Sequence, residues 1–551
     1  NTAVGLDALA INTAAYNTAV GKDAMDANTT GAANTGIGYN SLGANTTANN
    51  NTAVGAYTLE DNTTGTANVA VGAGALKNNT TASNNVALGL DALQANTTGA
   101  TNTAVGTLAL YTNTDAANST AVGYNALGNS NAANNTAVGS TALDNNTTGE
   151  NNTAVGYGAL GANTTGYAQV AVGRTALQAN STGAANVAIG QSALYNNTTA
   201  SNNTAIGLEA LFANTTGAQL VAIGGGALAA NTTAANNTAI GYSALNDNTT
   251  GTRNIAVGNY VLDSCTTGGS YNVGVGYACG DALTTAQNCV LIGDVAGDAI
   301  TTSSNCTAVG SSALTTHATG SGNTAIGKSA LGSCTNGANT AVGMDAGTNV
   351  TTGYNNTFVG DDAGDTVTTG ANNTCIGINC NPSAAGGSQQ IVVGIDIDGI
   401  GDNYTTLGYS GEGRIYNQFS ANASWTRASD VRLKKEIADN TDCGLDFINE
   451  LRPVTFKWKA PSEVDSDMPT YDPDKDEHSY TSKMYGLIAQ EVKAAMDKHN
   501  ITDFGGWHEA PTDKVQGIAQ EMFIHPLIKA VQELSSEVTT LKSEIATLKG
   551  G

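Results

Sequence analysis
The chain repeats itself. A motif of the form N-T-A-V-G-x-x-A-L, followed by a turn such as N-T-T-G, recurs 24 times up to Gly394. Its terminal glycine returns every 16, 17 or 18 residues: Gly5, Gly21, Gly38, Gly55 and onward to Gly360, Gly377 and Gly394. A period this regular marks a solenoid in which each repeat is one coil. With that glycine as position 0, β-branched or apolar residues stand at −3 and −1 with Ala between them, a strand-like alternation. In most copies Leu stands at +4 (Leu9, Leu59, Leu76, Leu93, Leu110). Asn, Thr and Gly then supply turn chemistry.

This pattern predicts two short strands and two turns per coil, with the Val and Leu columns forming a continuous interior and the Ala column facing outward. One coil cannot bury a core alone, whereas stacked coils can. At a rise of roughly 4.8 Å per coil, 24 coils give a rod on the order of 115 Å long. A roll this thin and poor in aromatics is marginal alone, and small outward side chains admit a close neighbour, so several chains are expected to pack side by side. The repeats resemble the head repeats of YadA-like trimeric adhesins, which share a V-A-I-G core and imply trimers of parallel β-rolls. The period here is longer and leaves room for a wider loop.

Two irregularities carry further expectations. Cys289 and Cys306 both stand at −4, so adjacent coils bring them within disulfide range, about 5 Å between Cα atoms; buried free thiols are the plainer reading. From Gly276 on, Gly replaces Leu in several coils (Gly280, Gly297, Gly347, Gly364), and the cross-section is expected to narrow or change there. The Thr and Asn ladders suit ice or glycan binding, but satisfying the turns of a solenoid accounts for them more simply. The stretch "DIDGIGDN" (Asp396 to Asn403) has the texture of a calcium loop without the bidentate Glu of an EF-hand, so an acidic turn is expected and no metal. The N-T-T triplets match an N-glycosylation pattern as a by-product of the turns. No cofactor is called for.

Composition changes sharply after the array. Up to residue 400 there are five Lys or Arg against 21 Asp or Glu; from 401 on there are 16 against 24, for a net charge of −24 overall. Phosphate backbones need clustered basic residues, so nucleic acid is excluded as a partner. No apolar run reaches the eighteen or so residues of a membrane span, so no membrane insertion is expected. Seven of the eight Cys fall between Cys265 and Cys380 without C-x-x-C spacing, which leaves the redox compartment open. The chain opens mid-repeat at Asn1 without an initiator Met or export signal, as expected of a fragment or processed product.

From Ser429 the grammar is that of a globular domain. "GLDFINELRPVTFKWK" reads as a helix ending near Arg452, then Pro453 and a strand; "MYGLIAQEVKAAM" reads as a strand running into a helix. Between Ile524 and Leu548 the apolar residues Ile524, Leu527, Val531, Leu534, Val538, Leu541, Ile545 and Leu548 are spaced alternately 3 and 4 apart, flanked by Glu533, Glu537, Lys542 and Glu544. That is the heptad seam of a self-associating coiled coil.

The motifs "SDVRLKKEI", "ELRPVTFKWK", "GLIAQEV" and "LIKAVQELSSEVTTLK" resemble, over Ser429 to about Leu548, the intramolecular chaperone domain of endosialidase-type phage tail spikes. The resemblance implies a domain that trimerises, helps the preceding fibre fold, and then cuts itself off. The Ser and Lys of its S-D-x-x-L-K motif fall on Ser429 and Lys434, and the cleaved bond on Ala428–Ser429. A serine hydroxyl needs a base, and Lys serves only when its ammonium is desolvated. Assembly that buries Lys434 would therefore switch on a serine peptidase acting once on its own chain, not a turnover enzyme.

The combined expectation is a mainly β chain. Residues 1–394 form a parallel β-roll or solenoid shaft of about 24 coils, trimeric; 395–428 form a tip or linker; 429–551 form a small α+β chaperone ending in a coiled-coil helix over 524–548. The leading functional reading is a homotrimeric bacteriophage tail fibre, on the virion and extracellular, attaching to a host-cell receptor or glycan. The rival is a bacterial cell-surface adhesin with the same chaperone. Tyr404, Tyr409, Tyr416 and Trp425, in the segment that becomes the tip after cleavage, are the first candidates for receptor contact, although packing that closes the roll explains them equally. A glycan-degrading spike is disfavoured, because no paired carboxylates sit in an aromatic-rich stretch.

Overall fold
The computed structural model describes all residues except 318, 411–412, 419–425, 428–430, 432–433, 467–470, 472, 478–480, 510–513 and 551. The chain forms two compact units, Asn1–Ala428 and Ser429–Gly551.

The first unit is a parallel β-solenoid of 24 rungs, running from Thr2–Val4 through Thr374–Ile376 to Ile391–Ile395. Each rung pairs in parallel with the next, one whole repeat along, as in Thr153 with Val170, Ala154 with Ala171 and Val155 with Val172. With few exceptions a coil contains one three-residue strand, not two. The second expected strand fails because residues at +2 and +4 take left-handed conformations, as at Asp91 (φ 55°) and Leu93 (φ 54°), which interrupts any extended run. The backbone still bonds between coils there: Leu59 N–H donates to Ala75 O at 3.1 Å.

The interior is the reverse of the face assignment made from alternation. From the second coil on, Ala at −2 points inward and is fully buried, while the flanking residues at −3 and −1 point outward and stay partly exposed. Volume decides this. The coil is already filled by Leu at +4, Ala at +3 and two inward Asn columns, so only a methyl group fits at −2.

Those Asn columns are buried polar spines. At +7, Asn62 Nδ2 donates to Asn45 Oδ1 and to Gly65 O, both at 3.0 Å, and Asn79 repeats the pattern one coil later. At −4, Asn51 Nδ2 donates to Gly65 O at 2.8 Å, while its Oδ1 accepts from the Asn68 N–H at 2.9 Å. A column of identical amides thereby satisfies turn groups that no strand reaches.

The interior packing changes where Gly replaces Leu. In the same coils Asn at +7 becomes Leu283, Ile300, Val350 or Val367, and Ala at −2 becomes Leu291 or Phe358. A Cβ placed on Gly364 would lie 2.3 Å from Phe358 Cδ1, and one on Gly297 would lie 2.8 Å from Leu291 Cδ2. Bulk has moved from the +4 column to the −2 and +7 columns, as volume-conserving repacking allows.

Past the last rung, Tyr404–Tyr409 continues the parallel sheet and then turns antiparallel onto Gly413–Gln418. "DIDGIGDN" holds a two-residue strand, Ile397–Asp398, paired in parallel with Cys380–Asn381, and then a turn whose Asp402 Oδ1 accepts from Ser388 N–H at 2.8 Å and Gln390 Nε2 at 3.1 Å. Its carboxylate is thus used on protein donors.

The second unit contains α1 (Leu445–Glu450), α2 (Ala489–Lys498) and α3 (Ile524–Lys549), with two small antiparallel pairs, Val454–Phe456 on Met484–Gly486 and Trp507–Glu509 on Gln516–Ile518. Phe447, Val492, Ala495, Met496 and Ile501 form its core. Phe504 packs edge-on between Phe447 (5.6 Å between centroids) and Phe523 (5.0 Å).

Candidate functional site: the assembly and scission segment
The candidate residues of the second unit fall in two parts, the stretch from Ser429 to Ile437 and the helix α3. Ala428 and Ser429 lie outside the described residues. Lys434 is exposed, and its backbone N–H donates to Val431 O at 3.1 Å. Val431 and Ile437 on either side are about two-thirds exposed (66% and 65%).

The chain then enters α1 through an Asx turn, with Asn440 Oδ1 accepting from Cys443 N–H at 3.0 Å. The residue before α1 is Gly444, which has no side chain to cap the helix. The cap comes from α3: Glu533 Oε2 accepts the Leu445 N–H at 2.6 Å, while Lys529 stands 3.4 Å from its other oxygen. The Leu445 N–H, ahead of Lys529, holds the Glu533 carboxyl below the ordinary glutamate range. The sequence reading had placed Glu533 only as a flank of the heptad seam. The signal available was the glycine at the N-cap, which requires an acceptor from elsewhere.

The other end of α1 is tied to α2. Arg452 pairs with Glu491, and Lys498 Nζ lies 2.5 Å from Glu450 Oε1. All four groups are exposed, so these pairs set geometry more than they add stability.

Every residue of the heptad seam on α3 keeps a large part of its surface open to solvent among the described residues. Ile524, Leu527, Val531, Leu534, Val538, Leu541, Ile545 and Leu548 are each 40% to 82% exposed. At the foot of α3, Ile524 and Leu527 line an open apolar cleft of about 360 Å³ with Ile448, Leu451, Leu487 and Phe523. A lone helix packing on its own domain would bury such a seam; here only Pro526 and Ala530 of α3 are buried.

Residues 429–501 match the family model of the chaperone of endosialidase. No curated protein and no solved structure matches the chain. The second unit therefore carries an intramolecular chaperone segment behind a repetitive β-solenoid. The match begins on Ser429 and includes Lys434, whereas α3 lies beyond it and rests on its own seam.

The remaining candidates are scattered. Tyr404 and Tyr416 meet edge to face on the terminal hairpin, 6.2 Å between centroids, and are half-buried. Tyr409 is 54% exposed. Trp425 lies outside the described residues. Cys289 and Cys306 are free, buried thiols bonded to backbone carbonyls, Cys289 Sγ to Ser303 O at 3.3 Å. Among the described residues no three His, Cys, Asp or Glu side chains converge as a metal site, and no helix is long and apolar enough to cross a membrane. Asp263, Asp281 and Asp298 occupy one column in successive coils. Desolvation pushes all three carboxyls up, Asp263 to about 6 with help from the charges of Asp247 and Asp281.

Proposed function
We propose that this chain is a homotrimeric fibre whose solenoid is the shaft and whose C-terminal unit is a removable assembly clamp. The observation that carries the reading is the eight-residue apolar seam of α3, each member 40% to 82% exposed, in the same unit as the chaperone match. Near-identical rungs make the shaft prone to pairing out of register by whole coils. A clamp that brings three chains together through α3 removes that ambiguity before the rungs zip.

Scission follows assembly in this scheme. Trimer packing covers the exposed stretch around Lys434, and desolvation favours its neutral amine, which takes the proton of Ser429 Oγ. The oxygen attacks the carbonyl carbon of Ala428. The Ala428–Ser429 C–N bond breaks, the serine nitrogen receives the proton, and an ester remains. Water hydrolyses that ester, leaving a carboxylate on Ala428 and freeing the clamp. The shaft then ends in the 395–428 segment, and Tyr409 stands exposed near its new tip as a candidate contact with a host-surface receptor or glycan. The setting we favour is a bacteriophage tail fibre on the virion.

The test is the denatured mass of the purified product. The wild-type chain should yield two pieces divided after Ala428, and Ser429→Ala should yield one intact chain of unchanged oligomeric state. A folded, trimeric wild type that stays intact removes the scission step. A Ser429→Ala variant that is still cut removes the role of Ser429.

A further inference from the structure
Inside the shaft the two Asn spines are interrupted together at one place. Cys289 and Cys306 stand at −4 in adjacent coils, while His317 and Cys334 stand at +7 in the coil of Cys306 and in the next. All four are fully buried, and His317 is the one fully buried histidine among the described residues. The Val290 N–H donates to Cys306 O at 2.9 Å, a parallel register that sets the two −4 residues about 5 Å apart. Their side chains touch, and Cys306 also touches His317. His317 Nδ1 faces Cys334 O at 3.1 Å, and its Nε2 faces Gly320 O. Carbonyl oxygens only accept, so each ring nitrogen carries a proton and the ring is an imidazolium. Asn323 Nδ2, 3.2 Å from Nε2, directs a proton to Asn336 O at 2.9 Å instead. A buried cation requires a counter-charge. The side chains acting on the ring are those of Cys306 and Cys334, with no carboxylate among them. Cys334 Sγ donates to Asn336 O at 3.1 Å, and Cys289 Sγ to Ser303 O at 3.3 Å, so both keep their protons. Cys306 Sγ reaches carbonyls only at 3.6 and 3.7 Å, which leaves it to carry the charge. The contact with Cys289 leads in drawing the Cys306 thiol down to about 5; burial opposes this and His317 adds to it. Burial likewise works against charge on His317, yet Cys306 and Cys334 push it up to about 10.

We infer that Cys306 and His317 form a buried thiolate–imidazolium pair, and that this pair makes Cys289 and Cys306 a site of disulfide formation between adjacent coils. The site needs a single chain and stands apart from the assembly scheme above. The oxidant is a small-molecule disulfide of the glutathione class. The Cys306 thiolate attacks one of its sulfurs and expels a thiolate, leaving a mixed disulfide. Cys289 gives its proton to the expelled thiolate, and its sulfur attacks that of Cys306 and expels the second thiolate. Two protein thiols are thereby oxidised and one small disulfide is reduced to two thiols. Both sulfurs are closed to solvent once the coils have stacked, so exchange belongs to folding. Cys306 and His317 lie in one coil, and their pair can form before the coil of Cys334 covers it. The linkage also marks register. No other coil holds Cys at −4, and a shaft that skips a coil sets Cys289 against Asn323 or Cys306 against Asn272.

The test uses the full chain and substitutions the array already tolerates. Asn holds +7 in regular coils and Ser holds −4 at Ser119, so His317→Asn, Cys289→Ser and Cys306→Ser should fold, with circular dichroism as the check. In the reduced wild type at neutral pH, the ultraviolet absorbance of a thiolate should amount to about one per chain and should vanish in Cys306→Ser and in His317→Asn. A folded wild type without that absorbance overturns the pair, as does either folded variant that keeps it. Refolding in a glutathione redox buffer, then unfolding and alkylation, should leave six of the eight thiols free in the wild type, and all remaining thiols free in both serine variants. Eight free thiols in the refolded wild type, or a loss of two in either serine variant, overturns the disulfide. Should a variant fail to fold, peptide mapping of the refolded wild type decides alone: a link between residues 289 and 306 supports the inference, and a link elsewhere or none overturns it.

Discussion

Adjacent glycines in the middle of the shaft should differ sharply in their tolerance of the same methyl group. Gly224 is a motif glycine with φ +136°, and a Cβ there would stand 2.2 Å from Gly241 O and 2.5 Å from Gly241 C in the next coil. Neither atom can withdraw, because both belong to the backbone of a paired rung. Its neighbour Gly225 lacks a positive φ, and the nearest atom its Cβ would meet is Tyr242 Cδ2 at 3.5 Å, an ordinary contact. Backbone strain of about 1–3 kcal/mol and overpacking of about 1–3 kcal/mol sum to about 2–6 kcal/mol for Gly224→Ala. Gly225→Ala should lie within about 0.5 kcal/mol of the parent. Because coils contact only their neighbours, the damage should be local. Hydrogen exchange across residues 204–260 is therefore the assay, with amides there exchanging roughly 30-fold faster or more in Gly224→Ala and unchanged in Gly225→Ala. Equal exchange in the two variants would refute the claim that the motif glycine is held by both its φ and the next coil's carbonyl.

Other perturbations test other links. Phe358→Ala should destabilise the shaft by about 3–5 kcal/mol, and adding Gly364→Leu should recover part of that, because Leu belongs at this position in regular coils; chemical denaturation of the single and double variants measures the coupling. Asp263→Asn should stabilise the shaft at pH 8 and lose that advantage near pH 4. The folded carboxyl, raised to about 6 by burial and by Asp247 and Asp281, contributes stability below the unfolded value of 3.8 that fades as pH rises through 6; melting temperatures of both proteins at the two pH values check the sign. Glu533→Gln should weaken the second unit near neutral pH and less so in acid, since a carboxyl held low contributes stability that disappears as pH falls through its folded value; thermal melts across pH 3–7 report it. Leu534→Glu, in the middle of the exposed seam, should abolish self-association without unfolding the second unit, as read by sedimentation and circular dichroism.

The repeat period made the coil number and the parallel, whole-repeat register legible before any coordinates, since every rung is placed by its glycine. Orientation was not legible. Alternation distinguishes two faces of a strand but ranks them by hydrophobicity, and Val outranks Ala; the space left by Leu at +4 and the two Asn spines reverses that order. The missing second strand has a related cause. Leu93 and its equivalents look like strand residues but take left-handed conformations, a cost that inter-coil hydrogen bonds offset and that residue preferences do not foresee. The exchange of Leu for Gly read as a loss of bulk when +4 was taken alone, whereas +4, +7 and −2 change together. In the second unit, helix and strand positions around Pro453 and Met484 followed from pattern, whereas Ser429 and Lys434 were singled out only as part of a longer motif and stand as candidates. Glu533 was hidden because its partner, the Leu445 N–H, lies 88 residues away.

The most direct measurement is the oligomeric mass of the intact Ser429→Ala chain at nanomolar concentration, with its circular dichroism recorded in parallel. The account predicts a folded species with the mass of three chains that persists on dilution. A fully structured single chain, unchanged on dilution and with the seam of α3 intact, would contradict it.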